Sequence, residues 1–349
     1  MYRLCIYYKM EKYVKICVIM KFNYNNKVAC IDLGSNLCRM LIGFANKNKT
    51  SGFSILKSMA NAVRLGDKVY KTGLIQEESI NRTVSFLQKC SQIAKQYEVK
   101  KIECVVTAAC RLASNKNHFI KRIKDETGLN FRMIDPDEEI YLSSLGCIEI
   151  IPYKYSYVID MGGCSTEIAL CLKHNNSIYL KEWISLPIGI LKFLENDSMY
   201  SMDQDSENII KQFTKRCIKY HLKHKENIPM IIAKSGIMST LANHIHSLKD
   251  IDIKILHGKI LSVPQVKQAF KEIVSDIEKN ENTNQKDIST RGSAMFMDRT
   301  MSFIPNISVI IMSNAGLRDG LLSRSCANSR YRMSNNKGLQ HTHNNTKSA

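Results

Sequence analysis

The sequence contains no uncharged apolar run that is long enough to cross a membrane as a helix. It also lacks any pair of cysteines with the Cys-x-x-Cys spacing of structural zinc sites, although 12 of its 349 residues are cysteines. The cysteines are scattered through apolar segments, as Cys104, Cys147 and Cys171 are. We therefore expect reduced, mostly buried thiols in a cytoplasmic globular protein that does not associate with membranes.

Acidic residues are fewer than basic ones, 32 against 50, and the formal net charge is +18. Such an excess favours anionic partners, namely nucleic acid, a membrane surface or a phosphate-rich small molecule. The basic residues are spread along the chain, however, so a sequence-wide bias towards Lys, Ile and Asn explains the charge equally well. Charge alone therefore identifies no partner.

Two stretches of the chain share one pattern, a β-rich run that ends in small polar residues and is followed at once by a second run. The first strand ends at Asp32 and Leu33 before a Gly-Ser-Asn turn, and the second ends at Asp160 and Met161 before a Gly-Gly-Cys-Ser turn. Each stretch predicts a strand, a tight turn and a returning strand. Because the two aspartates occupy the same place in each unit, we interpret the repeat as an internal duplication that gives two related lobes.

The rest of the chain alternates between strand and helix patterns, which favours an α/β fold with a partly parallel sheet in each lobe. The predicted strands lie at residues 28–33, 39–44, 101–106, 157–161, 166–172, 230–233 and 308–312, and the predicted helices at 77–97, 115–126, 204–221 and 264–278, with further helix starts at Asp135 and Gly316.

These elements divide the chain into a first lobe, residues 27–150, and a second lobe, residues 151–324. Residues 1–26 form an extension that we expect to be dispensable. Charges interrupt the apolar runs of residues 1–19, so we predict no strand or helix there. A start codon at Met20 would explain the segment. The polar tail at residues 325–349 is expected to be disordered.

Glycine, serine and asparagine after a strand allow backbone N–H groups to approach a phosphate without interference from a Cβ atom. Two such turns that face each other would hold a polyphosphate chain from both sides. An aspartate at the end of each strand would bind Mg²⁺ through water or orient an attacking water. An ordinary β-hairpin explains either turn alone better than a phosphate site does, and it is the repetition that favours a phosphate site.

Six segments, taken in order, resemble the exopolyphosphatase and guanosine pentaphosphate phosphatase (Ppx/GppA) family in its short two-domain form. The resemblance implies a two-lobed actin-like ATPase (ribonuclease H-like) fold with the active site in the cleft between the domains. It runs from about Lys27 to Ser323. The segments are IDLGSNLCRMLIG, VRLGDKVYKTGLI, VVTAACRLASN, IDPDEEIYLSSLG, VIDMGGCSTEIAL and SNAGLRDGLL.

The resemblance also implies which residues bind the substrate and Mg²⁺. Arg39 and Arg111 match arginines expected near the substrate, and the carboxylates of Asp32, Asp160 and Glu167 would surround the water and Mg²⁺. The remaining substrate-binding residues would be Gly34, Ser35 and Asn36 in the first loop, Gly162, Gly163, Ser165 and Thr166 in the second, and Ser235 and Gly236 after a later strand. Without the family match, a structural salt bridge explains either arginine equally well.

Glu138 matches the first glutamate of the family's Glu-Glu pair, and the resemblance implies that it is the base that activates water. Its position three residues after Asp135 also fits a capping box at a helix start, and Glu139 is the competing choice.

Three residues depart from the family pattern, namely Leu37, Cys164 and Ile237, which replace a serine, a glycine and a threonine. These losses would change substrate preference or activity, while the backbone donors would remain.

The resemblance predicts a Mg²⁺-dependent hydrolase that releases terminal orthophosphate from inorganic polyphosphate. Guanosine pentaphosphate phosphatase, a sugar kinase of the same superfamily and a non-catalytic polyphosphate or alarmone sensor stay open as alternatives. No sugar-recognition motif is apparent, which disfavours the kinase. We expect no stable nucleic-acid partner, and a homodimer is a possible assembly.

Overall fold

The computed structural model describes residues 26–152, 155–195, 202–223, 230–246, 253–280 and 282–327, together with three short strands outside them. Two of these strands, β1 (Cys5–Tyr7) and β2 (Cys17–Ile19), pair with each other in antiparallel fashion. The prediction that residues 1–19 form no strand is therefore wrong at these two segments. The rest of the extension before Asn26 lies outside the described residues.

The first sheet has five strands in the order β5-β4-β3-β6-β7. The pairs β5-β4 and β4-β3 are antiparallel, and β3-β6 and β6-β7 are parallel. The strands are β3 (Val28–Leu33), β4 (Leu37–Ala45), β5 (Phe53–Ala62), β6 (Lys101–Val106) and β7 (Phe131–Met133), and the helices between them are α1 (Val69–Thr72), α2 (Glu77–Gln96), α3 (Ala108–Leu112) and α4 (Lys116–Thr127).

The second sheet follows helix α5 (Pro136–Gly146) and has seven strands in the order β12-β13-β11-β8-β9-β10-β14. Its strands are β8 (Tyr155–Met161), β9 (Thr166–His174), β10 (Ser177–Leu186), β11 (Met230–Lys234), β12 (Ile260–Ser262), β13 (Val309–Met312) and β14 (Leu339–Gln340). Its helices are α6 (Ile190–Glu195), α7 (Gln204–Lys223), α8 (Gly236–Ile245), α9 (Ile253–Leu256), α10 (Val263–Glu278), α11 (Gln285–Ser302) and α12 (Leu317–Ala327).

The two sheets repeat one arrangement. The run β10-β9-β8 is antiparallel and continues into the parallel pairs β8-β11 and β11-β13, as β5-β4-β3 continues into β6 and β7. The strands β3 and β8 are buried on both faces, which explains their nearly continuous apolar sequence. The predicted internal duplication and the mixed α/β class are thus confirmed.

Two helices occupy the space between the sheets. Helix α5 contributes Leu142 to the apolar cluster on one face of the first sheet and Ile140 to a cluster on the second sheet. Helix α12 returns from the second sheet and packs Leu317 and Leu321 into that first cluster. The first turn of α5 is therefore positioned beside the strand ends of both sheets.

The predicted elements are all present, with ends that differ from the prediction by no more than two residues. The predicted polar tail begins too early, because α12 continues to Ala327 with Ser325 buried, and Leu339–Gln340 pair with β10. The other residues of that tail lie outside the described residues. Within the described part of the chain, no helix combines the length and apolar character needed to cross a membrane.

Candidate active site

The strands β3 and β4 and the strands β8 and β9 are joined by turns with the same hydrogen bond. The N–H of Gly34 donates to the carbonyl of Leu37 at 3.1 Å, and the N–H of Gly162 donates to the carbonyl of Ser165 at 2.9 Å. We call these two segments the first turn and the second turn. Their identical closure fixes the equivalence of the two hairpins residue by residue, with Asp32 matching Asp160.

The two turns lie in direct contact. A Cβ atom at Gly163 would lie 2.8 Å from the Cβ of Ser35 and 3.3 Å from the backbone nitrogen of Asn36, so this position has no room for a side chain. Cys164 of the second turn and Leu191 of the second sheet's first helix pack into the apolar core of the first sheet. The predicted phosphate loops are therefore brought together, as the duplication implied.

The aspartate of the first hairpin, Asp32, is buried and lies directly opposite Arg39 on the antiparallel strand. The Arg39 Nη1 atom is 3.9 Å from Asp32 Oδ2, and the Arg39 side chain is 31% exposed. Burial raises the pKa of Asp32, whereas Arg39 and Lys234 oppose that rise and Asp160 adds to it. Asp32 thus lies in a field made by charges from both sheets.

The aspartate of the second hairpin, Asp160, has a different partner. Opposite it on β9 is Glu167, and its cation comes instead from Lys234, its neighbour on the parallel strand β11. The Lys234 Nζ atom donates to Asp160 Oδ2 at 2.7 Å, and the hydroxyl of Ser143 donates to the same oxygen. Burial alone would lower the pKa of Lys234, but Asp160 outweighs it and the pKa is raised, so this buried ammonium remains charged.

Glu139, in the first helical turn of α5, lies beside the two aspartates. The Arg111 Nη1 atom donates to Glu139 Oε2 at 2.8 Å and to the carbonyl of Ile134 at 2.8 Å. Burial raises the pKa of Glu139, Arg111 opposes the rise, and Asp160 and Asp32 add to it. The carboxyl group therefore binds a proton more readily than an ordinary glutamate does.

Glu167 is the most deeply buried acid of the cluster. The hydroxyl of Ser185 donates to Glu167 Oε1 at 2.9 Å. Burial raises the pKa of Glu167 well above its ordinary value, Glu139 adds to the rise, and Arg111 opposes it. Four acids, Asp32, Asp160, Glu139 and Glu167, thus surround three cations, Arg39, Arg111 and Lys234.

Glu138 has a separate environment. Its carboxylate accepts hydrogen bonds from Arg132 Nη1 at 2.7 Å and Nη2 at 2.5 Å, and from Arg324 Nη1 at 2.6 Å. The side chain of Asp135 makes no capping bond, so the capping box predicted for this helix start is absent as well. The geometry favours Glu139 over Glu138 as the acid beside the strand ends, because only Glu139 pairs with Arg111.

The other predicted binding residues differ in what their side chains contact. The Ser35 hydroxyl accepts a hydrogen bond from the N–H of Ala109 at 3.2 Å. The Thr166 hydroxyl donates to the carbonyl of Ile188 at 2.7 Å, so its hydrogen is already used in a bond to the backbone. Ser165 is buried beside Glu167 and hydrogen-bonds to it.

Ser235 and Gly236 begin helix α8 next to Lys234. The Ser235 Oγ atom is buried and has no hydrogen-bond partner among the described residues, and no atom lies within 4 Å of where a Cβ of Gly236 would be. In the part of the chain that the structure describes, the Ser235 hydroxyl is therefore left without a protein partner at this end of β11, beside open space at Gly236. The neighbouring departure, Ile237, is explained by the core of the second sheet, in which its side chain is buried.

The predicted metal ligands Asp32, Asp160 and Glu167 do not form a closed metal site. Among the described residues, no group of three or more His, Cys, Asp or Glu side chains is arranged to hold a metal ion. Mg²⁺ is usually bound by one or two carboxylates together with water and substrate phosphates, and the oxygen donors of Asp32 and Asp160 fit that mode. The binding of Mg²⁺ by Asp32, Asp160 and Glu167 therefore stays a prediction.

Two polar residues of the cluster, Lys234 and Ser143, were not predicted. Lys234 lies at the end of a strand that the sequence predicts. Strands that end side by side bring their last residues together, and this is the signal that could have identified Lys234. Ser143 lies one turn after Glu139 on α5, and only the packing of α5 between the sheets shows that its hydroxyl reaches Asp160.

A model of the Ppx/GppA phosphatase family matches residues 44–329 of the chain. Two structures of Ppx/GppA family proteins from Aquifex aeolicus are 25% and 28% identical to it, with TM-scores of 0.67 and 0.66. The matches cover 88% and 85% of this chain and 99% of each Aquifex chain. This likeness confirms the predicted actin-like ATPase fold.

Two further proteins are similar over most of the chain. An exopolyphosphatase structure from Cytophaga hutchinsonii is 21% identical with a TM-score of 0.69, covers 87% of this chain and 99% of its own, and supports the fold alone. A bifunctional 3-dehydroquinate synthase/phosphatase of Fusobacterium nucleatum is 28% identical over 330 residues, which are 90% of this chain and 48% of the relative. The chain thus spans about half the length of that curated relative.

Proposed function

Because the chain belongs to the Ppx/GppA phosphatase family, we propose that it is an exopolyphosphatase, which releases orthophosphate from the end of inorganic polyphosphate. The observation that carries this proposal is the contact between the two turns beside Arg39, Arg111 and Lys234. Polyphosphate carries negative charge on every phosphate, so cations from both sheets suit its chain end.

Glu139 is the proposed base. A water molecule attacks the terminal phosphorus, its proton passes to a carboxylate oxygen of Glu139, and the P–O bond to the next phosphate breaks. The products are orthophosphate and a chain one phosphate shorter. The raised pKa of Glu139 supports this role, because a base is most effective when its pKa approaches the working pH.

Arg111 is proposed to orient the base and to bind the reacting phosphate. Its hydrogen bonds to Glu139 and to Ile134 both use Nη1. A guanidinium has five N–H donors in a planar fork, so the same side chain has the capacity to contact a phosphate oxygen. Phosphoryl transfer depends mainly on such positioning and on neutralisation of charge.

Mg²⁺ is the proposed cofactor, and Asp160, Asp32 and Glu167 are the residues that would hold it together with oxygens of the substrate. When bound, it would neutralise charge on the phosphates. The four-acid cluster supports this proposal, because it places four carboxyl groups beside three cations. Burial raises the pKa values of Glu139 and Glu167, and acidic neighbours add to both rises.

The test is a comparison of phosphate release by the pure protein with Mg²⁺ from long-chain polyphosphate, tripolyphosphate and guanosine pentaphosphate. We expect the largest kcat/KM for long-chain polyphosphate. A clear preference for guanosine pentaphosphate would show that the proposed substrate is wrong and that the proposed phosphatase activity is right. Release from none of the three, or transfer from ATP to an added sugar, would contradict the proposal.

A further inference from the structure

The strand-end aspartates of the two sheets each have one basic neighbour, but the neighbour comes from a different strand. In the first sheet the antiparallel position opposite Asp32 holds Arg39, and the parallel position holds Val105. In the second sheet the antiparallel position opposite Asp160 holds Glu167, and the parallel position holds Lys234. Lys234 is therefore the cation beside Asp160 in the second sheet, as Arg39 is the cation beside Asp32 in the first.

The position of Lys234 is fixed by contacts from three elements. Its Nζ atom lies 2.7 Å from Asp160 Oδ2 and 3.5 Å from the Ser143 hydroxyl, and the side chain is only 14% exposed. Its stem passes under Gly316, where a Cβ atom would lie 2.3 Å from Lys234 Cε and 2.4 Å from Nζ. The absence of a side chain at position 316 is thus what leaves room for the ammonium.

We infer that Lys234 is a fixed cation of the phosphate site, which pairs with Asp160 in the free protein and binds the terminal phosphate of the substrate together with Arg39. An ammonium so placed also occupies an oxygen that a divalent ion would otherwise use, so the free protein has a weak affinity for metal until phosphate arrives. This inference rests on the proposed function and adds a substrate-binding residue to it.

The decisive variant is Lys234→Met, which keeps the length of the side chain and removes its charge. In a Glu139→Gln background, where turnover is blocked, calorimetry without metal would measure the affinity for tripolyphosphate. We expect a loss of about tenfold to a hundredfold, the range for a charge-assisted hydrogen bond. Electron paramagnetic resonance with Mn²⁺ and no phosphate should show tighter metal binding, because Asp160 loses its cation.

Two further variants complete the test, one as a control and one as a second probe of the ammonium. Lys173→Met removes another buried lysine, whose Nζ bonds to the carbonyls of Ile148 and Ile151, and should change neither affinity. Gly316→Ala keeps the charge but displaces the ammonium, and should weaken tripolyphosphate binding in the same direction by a smaller factor. It decides the question if Lys234→Met does not fold.

Unchanged affinities for tripolyphosphate and Mn²⁺ in Lys234→Met, or in Gly316→Ala if the former is unfolded, would reduce Lys234 to a structural partner of Asp160. That result would leave the proposed function intact provided that the unsubstituted protein releases phosphate. A Glu139→Gln protein that binds no tripolyphosphate at all, from a parent that releases no phosphate, would contradict both proposals.

Discussion

The hairpins of the two sheets have the same backbone and different charges. Both close their turns with the same hydrogen bond, and both place an aspartate at the end of the central strand. The first hairpin carries its own cation, Arg39, whereas the second carries the acid Glu167 and takes its cation, Lys234, from the neighbouring parallel strand. Both sheets thus place a cation beside the aspartate of the hairpin, although the cation comes from a different strand in each sheet.

The largest difference is expected when each aspartate is made neutral. Asp160→Asn leaves Lys234 buried beside an uncharged partner, and we expect the free energy of unfolding to fall by about 3 kcal/mol. Asp32→Asn should cost less than about 1 kcal/mol, because Arg39 is 31% exposed and burial already raises the pKa of Asp32. Urea denaturation of both variants at neutral pH is the measurement. Equal losses would mean that the two pairs are energetically equivalent.

The contact between the turns gives a second, smaller effect. Gly163→Ala forces a methyl group against Ser35, and we expect about 1 to 3 kcal/mol of destabilisation. The matched control is Gly162→Ala in the same turn, where the added methyl group would approach only the carbonyl oxygen of Ser165 at 3.3 Å. Thermal melts of the two variants would show whether the turns touch in solution. A Gly163→Ala protein as stable as Gly162→Ala would indicate that they separate.

The smallest effect concerns Glu138, an acid that belongs to neither hairpin. Burial alone would raise the pKa of Glu138, but hydrogen bonds from Arg132 and Arg324 outweigh it and lower the pKa. An acid whose pKa is lowered by folding stabilises the folded state at pH values above its pKa in the unfolded chain. That stabilisation is lost as the pH falls through its pKa in the folded protein. Glu138→Gln should therefore lose less stability than the unsubstituted protein between pH 5 and 3.

The control for this pH series is Glu126→Gln, which removes an exposed ion pair with Arg122 on α4. We expect it to follow the unsubstituted protein. If Glu138→Gln also follows that curve in urea titrations at successive pH values, the arginine pairs of Glu138 do not contribute to stability.

The strands of the two hairpins can be predicted from the sequence because the residues that indicate them are close neighbours in the chain. A buried run, an aspartate and a glycine turn lie within ten neighbouring residues, so β3, β4, β8 and β9 were placed within two residues of their observed ends. Helix α11 was missed for the opposite reason. Its buried face includes Gly292, Ser293 and Ala294, and a Cβ at Gly292 would lie 2.5 Å from Phe193 Cγ, so small residues fit a neighbour that the local pattern does not reveal.

The choice between Glu138 and Glu139 shows the same limit within the site. The two residues are adjacent on α5, and their side chains point about 100° apart around the helix. Which of them meets the strand ends depends on how α5 packs between two sheets and on Arg324, which lies 186 residues away in the sequence. Motif matching identified the pair, and only the tertiary structure separates its members.

Whether Glu139 is the base is decided by phosphate release from Glu139→Gln and Glu138→Gln, measured in single turnover with saturating polyphosphate and Mg²⁺. Loss of a general base costs roughly 10² to 10⁴ in rate, so Glu139→Gln should be nearly inactive while Glu138→Gln keeps most of its activity. Tripolyphosphate binding to both variants by calorimetry would show that the site remains formed. An active Glu139→Gln protein beside an inactive Glu138→Gln protein would show that Glu139 is not the base.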